Sequence, residues 1–574
     1  MRFVILGRLL LAASATFVTL TGAEWGVRRM GLGKVDSAFM DHVAYAQVLG
    51  KADLTEDPKI LREGMWFRRP IDAGKGLTAP ANRFEMPKPE GTYRIFVFGE
   101  STTLGCPISI TGGPQNEISF PAWLGLRLRK RYPGVLVEVL NVGHGGQNLE
   151  TAWRYAIECL EFEPDAFVFY SGHNEFLPHS ILAARTRMHP YAVPPASTPM
   201  LTHLGRLWQQ FLSSLEEHRD PDIGTLDFPL PERMIGRCYH TEDDAASIEY
   251  SDRRLLMDLA RHCQSHGVEL FLCTLINNLS DFEPSFSYID SVEDDSRTLA
   301  WEREIARART ALEEGRPQET LQILDALPAP AQDLAEVWFR RGKAFEALNR
   351  RADALDCYIN AKDKDGIQRR APTAVNDVIR AICRESSARL VDVELESFKA
   401  RQDRPPGNDC FFDNCHPTFE GTLLIVEALE KAIVLSRCIR GQSAAAQEHP
   451  PSFEVELKEI GFQPVLLGVM YAAVGQSYGG LVLGRRYDPG ERLRVARELF
   501  LKVPEKFPYY RQCQMTLGCV EIIAGETDRA RQRFAEHHIP DEELKSYVQE
   551  FVRRARSRGI EKAFVEAGIL AAGS

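Results

Sequence analysis

Short apolar runs alternate with amphipathic stretches over most of residues 91–435. The apolar runs predict buried strands at 94–98, 135–141, 166–170, 268–275 and 389–393. The amphipathic stretches predict helices at 120–132, 149–162, 251–265, 373–384 and 418–435, with Asn148 as the N-cap of the second. Such alternation favours an α/β fold, in which a parallel sheet is flanked by helices on both faces.

Two stretches interrupt this alternation. Residues 176–240 are rich in proline, histidine and aromatic residues, which favours an extended, lid-like insertion over a pocket. Residues 300–366 instead show the spacing of tetratricopeptide units, in which two helices pack small residues against aromatic ones. The positions with this spacing are Trp338, Gly342, Phe345, Ala354, Tyr358 and Ala361 in one unit, and Ala308, Ala311 and Leu324 in a degenerate unit before it.

A second run of repeats is predicted after the α/β pattern. Three pairs of residues share the period of 34 that is typical of tetratricopeptide repeats: Gly484 and Gly518, Ala496 and Ala530, and Phe500 and Phe534, with Tyr487 and Pro508 also suiting the repeat. We therefore predict a linker over 442–451 and a C-terminal helical, tetratricopeptide-like domain over 452–574. Helical repeats commonly bind protein partners on a concave surface, but two units can also do no more than brace the α/β domain.

The N-terminus predicts export. An apolar stretch over residues 9–27 contains one charge, Glu24, and has arginines on both sides (Arg2, Arg8, Arg28 and Arg29). Residues 1–29 therefore form either a signal peptide with a cleavage site near 21–23 or an uncleaved signal anchor; a buried helix of a cytosolic protein is the alternative. We expect an exported protein that is anchored in the membrane and faces the periplasm or cell envelope. Residues 30–90 are expected to be a lead-in segment that packs on the following domain.

Composition excludes several classes of protein. The formal net charge is −11 and the basic residues do not gather in one stripe, so nucleic acid is not an expected partner. The 12 cysteines form no CxxC pair, so neither a zinc site nor a disulfide framework is indicated, and we expect most of them to be buried. No metal or other cofactor is predicted. A chain of 574 residues is too long for one core, so at least two domains are expected.

Candidate chemistry lies directly after the predicted strands. Ser101 follows the strand at 94–98, but a serine hydroxyl is a weak nucleophile unless a neighbouring base removes its proton. His416 is the candidate base, and Asp413, three residues earlier, is expected to orient its imidazole and stabilise the imidazolium. Pro417 is expected to start the last helix. Because ligands of open parallel sheets bind at the carboxyl ends of the strands, we expect these side chains to meet.

Two further residues supply candidate donors for an oxyanion. Gly146 lies in a loop after the second predicted strand, where a glycine lets a backbone amide approach a substrate closely. Asn174 follows the strand at 166–170, and its side-chain amide offers a second donor. The amide of Ser101 would be the third donor. Each residue alone is more often a turn glycine or a helix cap, and only the combination indicates a hydrolase.

The segments around these residues resemble the four sequence blocks of the SGNH (GDSL-like) serine hydrolase superfamily. The resemblance covers roughly residues 91–175, 250–285 and 370–435. It implies an SGNH-hydrolase-like domain over 91–440 with a flavodoxin-like three-layer sandwich, a catalytic triad of Ser101, Asp413 and His416, and oxyanion donors from Gly146 and Asn174. The N-terminal apolar segment and the repeats also resemble a bacterial subgroup of that superfamily. Glu100 and Glu175 depart from the family pattern, which commonly has Asp at both positions.

The resemblance implies an esterase that acts through an acyl-enzyme, with acetyl esters on envelope carbohydrate as the first substrates to test. Acyl transfer to a sugar hydroxyl is an alternative use of the same site, if the insertion at 176–240 and the repeats exclude water. A third possibility is a catalytically idle scaffold that binds a protein partner through its repeats. His144 and His173 lie beside the site residues, where ordinary loop roles are expected and substrate contact is the alternative.

Overall fold

The computed structural model describes residues 29–30, 37–51, 61–69, 82–107, 118–188, 207–208, 210–212, 214–215, 241–285, 287, 295–439, 453–460, 462, 471–472, 475, 490–507, 510–554 and 560–571. Residues 1–28 of the predicted signal segment, the predicted linker at 442–451 and most of the predicted lid lie outside these ranges. So do Gly484, Tyr487 and Pro508 of the predicted C-terminal repeat. None of the described helices is both long enough and apolar enough to cross a membrane.

The described residues form two sheets. The strands are β1 Phe39–Asp41, β2 Met65–Arg68, β3 Arg83–Glu85, β4 Thr92–Gly99, β5 Leu136–Asn141, β6 Ala166–Tyr170, β7 Glu269–Cys273 and β8 Arg389–Val391. The last five make one parallel sheet in the order β5-β4-β6-β7-β8. Counted from β4, this is the order 2-1-3-4-5 of flavodoxin-like sheets, in which ligands bind outside the carboxyl ends of the strands.

Helices cover both faces of the parallel sheet. Those of the α/β part are α1 His42–Lys51, α2 Ser101–Leu104, α3 Phe120–Arg131, α4 Leu149–Cys159, α5 Pro178–Met188, α6 Glu242–His266, α7 Asp295–Glu313, α8 Pro317–Asp325, α9 Ala329–Gln332, α10 Ala335–Ala347, α11 Arg351–Asp363, α12 Thr373–Glu385, α13 Val393–Ala400 and α14 Phe419–Ser436. Helices α3 and α14 pack together on one face, and α4, α6 and α12 pack together on the other. The mixed α/β fold with a parallel sheet between helices is thus confirmed.

The burial of the central strands explains why the hydrophobic pattern of the sequence predicted them well. Every residue of β4 and β6 is buried, because both strands lie inside the sheet and are covered on both faces. Their phenylalanines pack on one another, as in the pair Phe98 and Phe169, whose ring centroids are 4.8 Å apart. Asn148 caps α4 by accepting a hydrogen bond from the Thr151 amide at 3.3 Å, as predicted.

Two helix boundaries differ from the prediction by more than one residue. Helix α6 begins at Glu242, nine residues before the predicted start, because Thr241 and Asp244 form a capping box at its N-terminus. The helix predicted over 149–162 ends at Cys159 and continues as one 3-10 turn, Leu160–Phe162. The region predicted as an extended lid also contains a helix, α5, that packs against α6.

The lead-in segment forms a small antiparallel sheet, β1-β2-β3, that the sequence did not predict. Phe39 and Phe84 pack edge-to-face on Phe96 of β4, so this sheet shares the core of the parallel sheet. Arg68 donates to the carbonyl of Gly143 at 3.4 Å, and Asn82 donates to the carbonyl of Asn141 at 2.9 Å. The lead-in therefore braces the loop that follows β5.

The region in which repeats were predicted before the last strand contains pairs of packed helices, here called helical hairpins. Helices α7 and α8 pack together, as do α10 and α11. A Cβ on Gly342 would lie 2.7 Å from the ring of Tyr358, so this small residue lets the two helices approach closely. The described C-terminal helices are α15 Phe453–Glu459, α16 Gly490–Leu501, α17 Tyr510–Ile523, α18 Thr527–Glu536, α19 Asp541–Arg554 and α20 Ile560–Glu566. Ala496, Phe500 and Ala530 are fully buried among them.

A buried carboxylate joins α15 to the sheet domain. Glu456 is 1% exposed and accepts hydrogen bonds from Trp123 Nε1 and from Arg127 Nη2, both at 2.8 Å. Arg127 also faces Glu430 of α14 at 3.4 Å. Removing Glu456 takes the acceptor away from two buried donors at once, which is costly even though Arg127 keeps Glu430 as a neighbour.

We expect Glu456→Ala to lower the free energy of unfolding by about 3 kcal/mol. Glu459→Ala is the matched control, because Glu459 pairs with Lys130 at the surface and its loss should change stability by only about 0.5 kcal/mol. Urea denaturation followed by tryptophan fluorescence measures both. Equal losses for the two variants would contradict this account of the buried network.

Candidate active site

The carboxyl end of β4 turns directly into a short helix. Strand β4 ends at Gly99, and α2 begins at Ser101 after a single residue. The helix is closed by the Leu104 amide, which donates to the Glu100 carbonyl at 2.9 Å. Ser101 is partly exposed, whereas Thr102, Thr103 and Leu104 are buried. The sharp turn thus presents Ser101 at the edge of the sheet while the rest of α2 anchors it.

The loop after β5 packs against α2. A Cβ on Gly143 would lie 2.3 Å from the Leu104 amide nitrogen, so only glycine permits this approach of two backbones. Asn141 fixes the same contact, because its Nδ2 donates to the Thr103 carbonyl at 2.8 Å and its Oδ1 accepts the Gly143 amide at 2.9 Å. These positioning roles were not predicted from the sequence, although Asn141 and Gly143 lie shortly before Gly146.

Ser101, His416 and Asp413 lie in a row. Ser101 Oγ is 2.8 Å from His416 Nε2, and His416 Nδ1 is 2.7 Å from Asp413 Oδ2. The His416 side chain is 23% exposed and that of Asp413 only 8%, so the imidazole faces the opening and the carboxylate lies behind it. In the structure Ser101 lies beside His416, although 315 positions separate the two residues in the sequence.

The turn that carries Asp413 and His416 is held by several neighbours. Asp413 Oδ1 accepts the amides of Cys415 at 3.1 Å and His416 at 2.9 Å. Asn278, after β7, donates to the Asp413 carbonyl at 2.9 Å. Thr102 Oγ1 donates to the Cys415 carbonyl at 3.2 Å, which ties the turn to α2. These contacts fix the position of the backbone that carries the His416 imidazole.

Pro417 does not start the last helix, contrary to the prediction. It forms an antiparallel bridge with Phe411, and Thr418 is the N-cap of α14, accepting the Gly421 amide at 3.3 Å. The helix therefore begins at Phe419. Thr418, and not Pro417, sets the start of the helix because its hydroxyl accepts a hydrogen bond from an amide of the first turn.

Electrostatics favour an ion pair between the imidazole and the carboxylate. Burial lowers the pKa of His416, but the charge of Asp413 and its hydrogen bond outweigh burial, so the pKa lies above its ordinary 6.5. Burial raises the pKa of Asp413, but the charge of His416 and three hydrogen bonds hold it below its ordinary value. Asp413 therefore stays ionised and stabilises the protonated imidazole.

Asn174 and Gly146 lie on neighbouring loops at this end of the sheet. Asn174 Nδ2 donates to the carbonyl of Gln147 at 2.8 Å, which fixes its amide beside the loop that carries Gly146. Gly146 is exposed and has a φ of +71°, a conformation that favours glycine. A Cβ on Gly145 would lie 4.0 Å from Ser101 Cβ, so the same loop borders the serine.

Two buried glutamates support these loops. Glu100 is 1% exposed and accepts hydrogen bonds from Ser171 Oγ and from the amides of Gly172 and His173 at 2.8–3.0 Å. Burial and the charge of Glu175 raise the pKa of Glu100 to about 8. Glu100 thereby links the residue before Ser101 to the turn before Asn174, a role that sequence reasoning missed.

Glu175 supports the other loop. Its Oε1 accepts the amide of Leu149, the first residue of α4, at 2.8 Å. It also shares a hydrogen bond with the buried Asp252, and burial raises the pKa of both carboxyl groups, that of Glu175 to about 7. Glu100 and Glu175 thus each place a buried carboxyl group behind one of the two loops.

The histidines beside the site differ in their surroundings. His144 is partly exposed, and its Nδ1 lies 3.1 Å from the Gly145 carbonyl. His173 is buried, and neither of its ring nitrogens has a hydrogen-bond partner among the described residues. Asp413, Cys415 and His416 hold potential metal ligands within 4.8 Å of one another, but Asp413 and Ser101 already engage both nitrogens of His416. The triad geometry therefore favours proton transfer over metal binding at this turn.

A comparison with models of protein families found no match for the chain, and a comparison with curated proteins found none either.

The sequence resemblance implies ester hydrolysis at this row of side chains, and for such a reaction we expect kcat/KM to rise with pH through the pKa of His416. Only the neutral imidazole accepts the serine proton, so activity is low below this pKa and full above it. Because Asp413 raises the pKa, the midpoint should lie above about 6.5.

A profile of kcat/KM between about pH 5 and 8 measures this midpoint. His266→Gln, a change of an exposed histidine on α6, should leave the profile unchanged. A flat profile for the unaltered protein would contradict the assignment of His416 as the base.

Proposed function

We propose that the protein is a serine esterase of the SGNH type, a metal-independent hydrolase that works through an acyl-enzyme. The observation that carries the proposal is the continuous row from Ser101 Oγ through the His416 imidazole to Asp413 Oδ2, with 2.8 and 2.7 Å between neighbours. Its position at the carboxyl ends of a parallel sheet supports the proposal, since open α/β sheets bind ligands there.

The geometry suits acyl transfer to the serine. Ser101 Oγ attacks the ester carbonyl carbon while His416 Nε2 takes the hydroxyl proton. Asp413 stabilises the imidazolium, which then gives its proton to the departing alcohol oxygen. Water, activated by the same imidazole, attacks the acyl-enzyme, releases the acid and restores the serine. Each proton crosses one hydrogen bond, so the side chains need not move far.

Three donors are proposed to hold the oxyanion. The first amides of a helix have no partner within the helix, which leaves the Ser101 amide for the substrate. The Gly146 amide comes from the loop beside Ser101. The Asn174 side chain uses one of its two N–H groups for the Gln147 carbonyl, so the second is left to donate to the oxyanion. Such donors stabilise the charge that develops on the tetrahedral intermediate.

The substrate and the setting extend this proposal. We take acetyl or other short acyl esters of envelope carbohydrate as the substrates, and we place the protein on the extracytoplasmic side of a membrane, anchored by its N-terminal segment. The helical hairpins, of which α10 and α11 are the clearest, are proposed to be tetratricopeptide-like units. The close packing of Gly342 on Tyr358 supports this assignment.

We expect Ser101→Ala to abolish release of p-nitrophenol from p-nitrophenyl acetate, because no other hydroxyl in the row can attack the ester. Ser265→Ala, a change of an exposed serine at the end of α6, serves as the control and should retain full activity. Equal rates for the unaltered protein and Ser101→Ala would refute the assignment.

A fluorophosphonate probe and product analysis separate the alternatives. Labelling that Ser101→Ala abolishes argues against an idle scaffold, and no labelling of the unaltered protein argues for one. Mass spectrometry of the products with a sugar acceptor present distinguishes hydrolysis from acyl transfer, because only transfer yields an acylated acceptor.

We expect Asn174→Ala to lower kcat by about 10²–10³, the usual cost of one lost oxyanion donor. KM should change much less, since the donor acts mainly in the transition state. Asn360→Ala, which removes an amide from the exposed face of α11, is the control and should leave kcat unchanged. A loss of less than about threefold in Asn174→Ala would remove this residue from the proposed oxyanion hole.

A further inference from the structure

His173 is a buried imidazole without a hydrogen-bond partner. The residue is 4% exposed, and within the part of the chain that the structure describes neither Nδ1 nor Nε2 has a hydrogen-bond partner. A buried polar atom left unpaired costs about 1–3 kcal/mol, so an unpartnered side chain of this kind calls for an explanation. The imidazole offers one donor and one acceptor when neutral. Burial, together with the charge of His416, lowers the pKa of His173 to about 3, so the ring is neutral.

The backbone of His173 is held firmly beside the triad. Its amide donates to Glu100 Oε2 at 3.0 Å, next to the nucleophile in the sequence. Its ring lies 5.9 Å from the ring of Tyr170, centroid to centroid. The charges of His416, Asp413 and, more weakly, Lys362 act on the imidazole. The Tyr170 hydroxyl accepts the amide of Ile276 at 3.2 Å, and Asn278, two residues later, donates to the Asp413 carbonyl. The His173 ring thus lies on the side of the site where the turn of His416 is held.

This side differs from the oxyanion side. The next residue, Asn174, directs its amide to Gln147 in the loop of Gly146. In the proposed reaction the oxyanion points to that loop, whereas the departing alcohol takes its proton from His416. A group that is near His416 and away from the oxyanion loop is therefore close to the alcohol portion of the ester.

Charge and hydrogen-bonding capacity define what the ring would bind. A cation is disfavoured by the nearby charge of Lys362, and an anion by that of Asp413. Asn277 is also buried, and its Oδ1 has no hydrogen-bond partner among the described residues. Its Nδ2 donates to the Ala371 carbonyl, which also accepts from Lys362. Hydroxyl groups are neutral and both donate and accept, so they match these unpaired atoms.

We propose that His173 is a specificity-determining residue that hydrogen-bonds a hydroxyl group on the alcohol portion of the substrate, which is therefore a polyol such as a sugar. This inference rests on the proposed esterase function and deepens it. A hydroxyl that enters beside His416 meets the imidazole once the ring turns about its Cβ–Cγ bond, a soft torsion. An alcohol without further hydroxyl groups leaves both ring nitrogens unpaired.

Two esters of similar shape test the proposal. One is 6-O-acetylglucose, and the other is cyclohexylmethyl acetate, which has a ring of the same size and no hydroxyl groups. In His173→Phe, which keeps an aromatic ring but has no ring nitrogens, the ratio of kcat/KM for the sugar ester to kcat/KM for the apolar ester should fall about tenfold. His173→Gln, which keeps a donor and an acceptor, should retain most of the ratio. His266→Leu is the control and should retain all of it.

The outcomes separate the inference from the proposed function. An unaltered ratio in His173→Phe, or an equal retention in His173→Phe and His173→Gln, overturns the role of His173 while leaving the esterase assignment intact. Failure of the unaltered protein to cleave either ester or to react with a fluorophosphonate overturns the proposed function itself. Should His173→Phe not fold, as judged by thermal melting, the same ratio is measured in His173→Leu.

Discussion

The two oxygens of the Asp413 carboxylate make two sets of hydrogen bonds on which the geometry of the site depends. One oxygen, Oδ1, accepts the amides of Cys415 and His416 and so folds the turn. The other oxygen, Oδ2, accepts a hydrogen bond from His416 Nδ1 at 2.7 Å and so orients the imidazole toward Ser101. Because a buried carboxylate is stable only when it is paired and hydrogen-bonded, the turn and the base form together. A chain without this carboxylate would lose the shape of the turn as well as the charge partner of His416.

The glutamates behind the loops extend the same principle. Glu100 joins the ends of β4 and β6 through three hydrogen bonds, and Glu175 joins the turn of Asn174 to the start of α4. Each carboxylate therefore connects two loops that begin on different strands. A parallel sheet brings its strand ends to one edge, but sheet geometry alone leaves the loops free to move. Buried hydrogen bonds of this kind supply the fixed positions that the proposed oxyanion site requires.

Local patterns made most of the sheet domain predictable, and nonlocal contacts account for what was missed. Strands such as β4 and β6 are apolar throughout because they are covered on both faces, and that signal is visible in the sequence. The small lead-in sheet has strands of three or four residues, too short for a clear alternation, and its register depends on partners far along the chain. The start of α6 was missed because polar residues outweigh apolar ones in its first turns. The triad residues were identifiable from their motifs, whereas the partners of Glu100 and the isolation of His173 arise only on folding.

The inserted hairpins contribute to the site as well as to the size of the protein. The chain leaves α11 through residues that return to the edge of the sheet, where Arg370 donates to the carbonyls of Asn278 at 3.0 Å and Phe282 at 2.8 Å. Asn278 in turn holds the backbone of Asp413. Lys362, at the end of α11, is buried and bonds the Ala371 carbonyl at 3.0 Å. The end of the insertion is thus linked through Asn278 to the turn of Asp413, and a buried arginine stabilises this link by donating to two carbonyls. Arg370 and Lys362 are both buried at this edge of the sheet, which is more than a surface repeat would require. The insertion and the proposed triad are therefore parts of one folded unit.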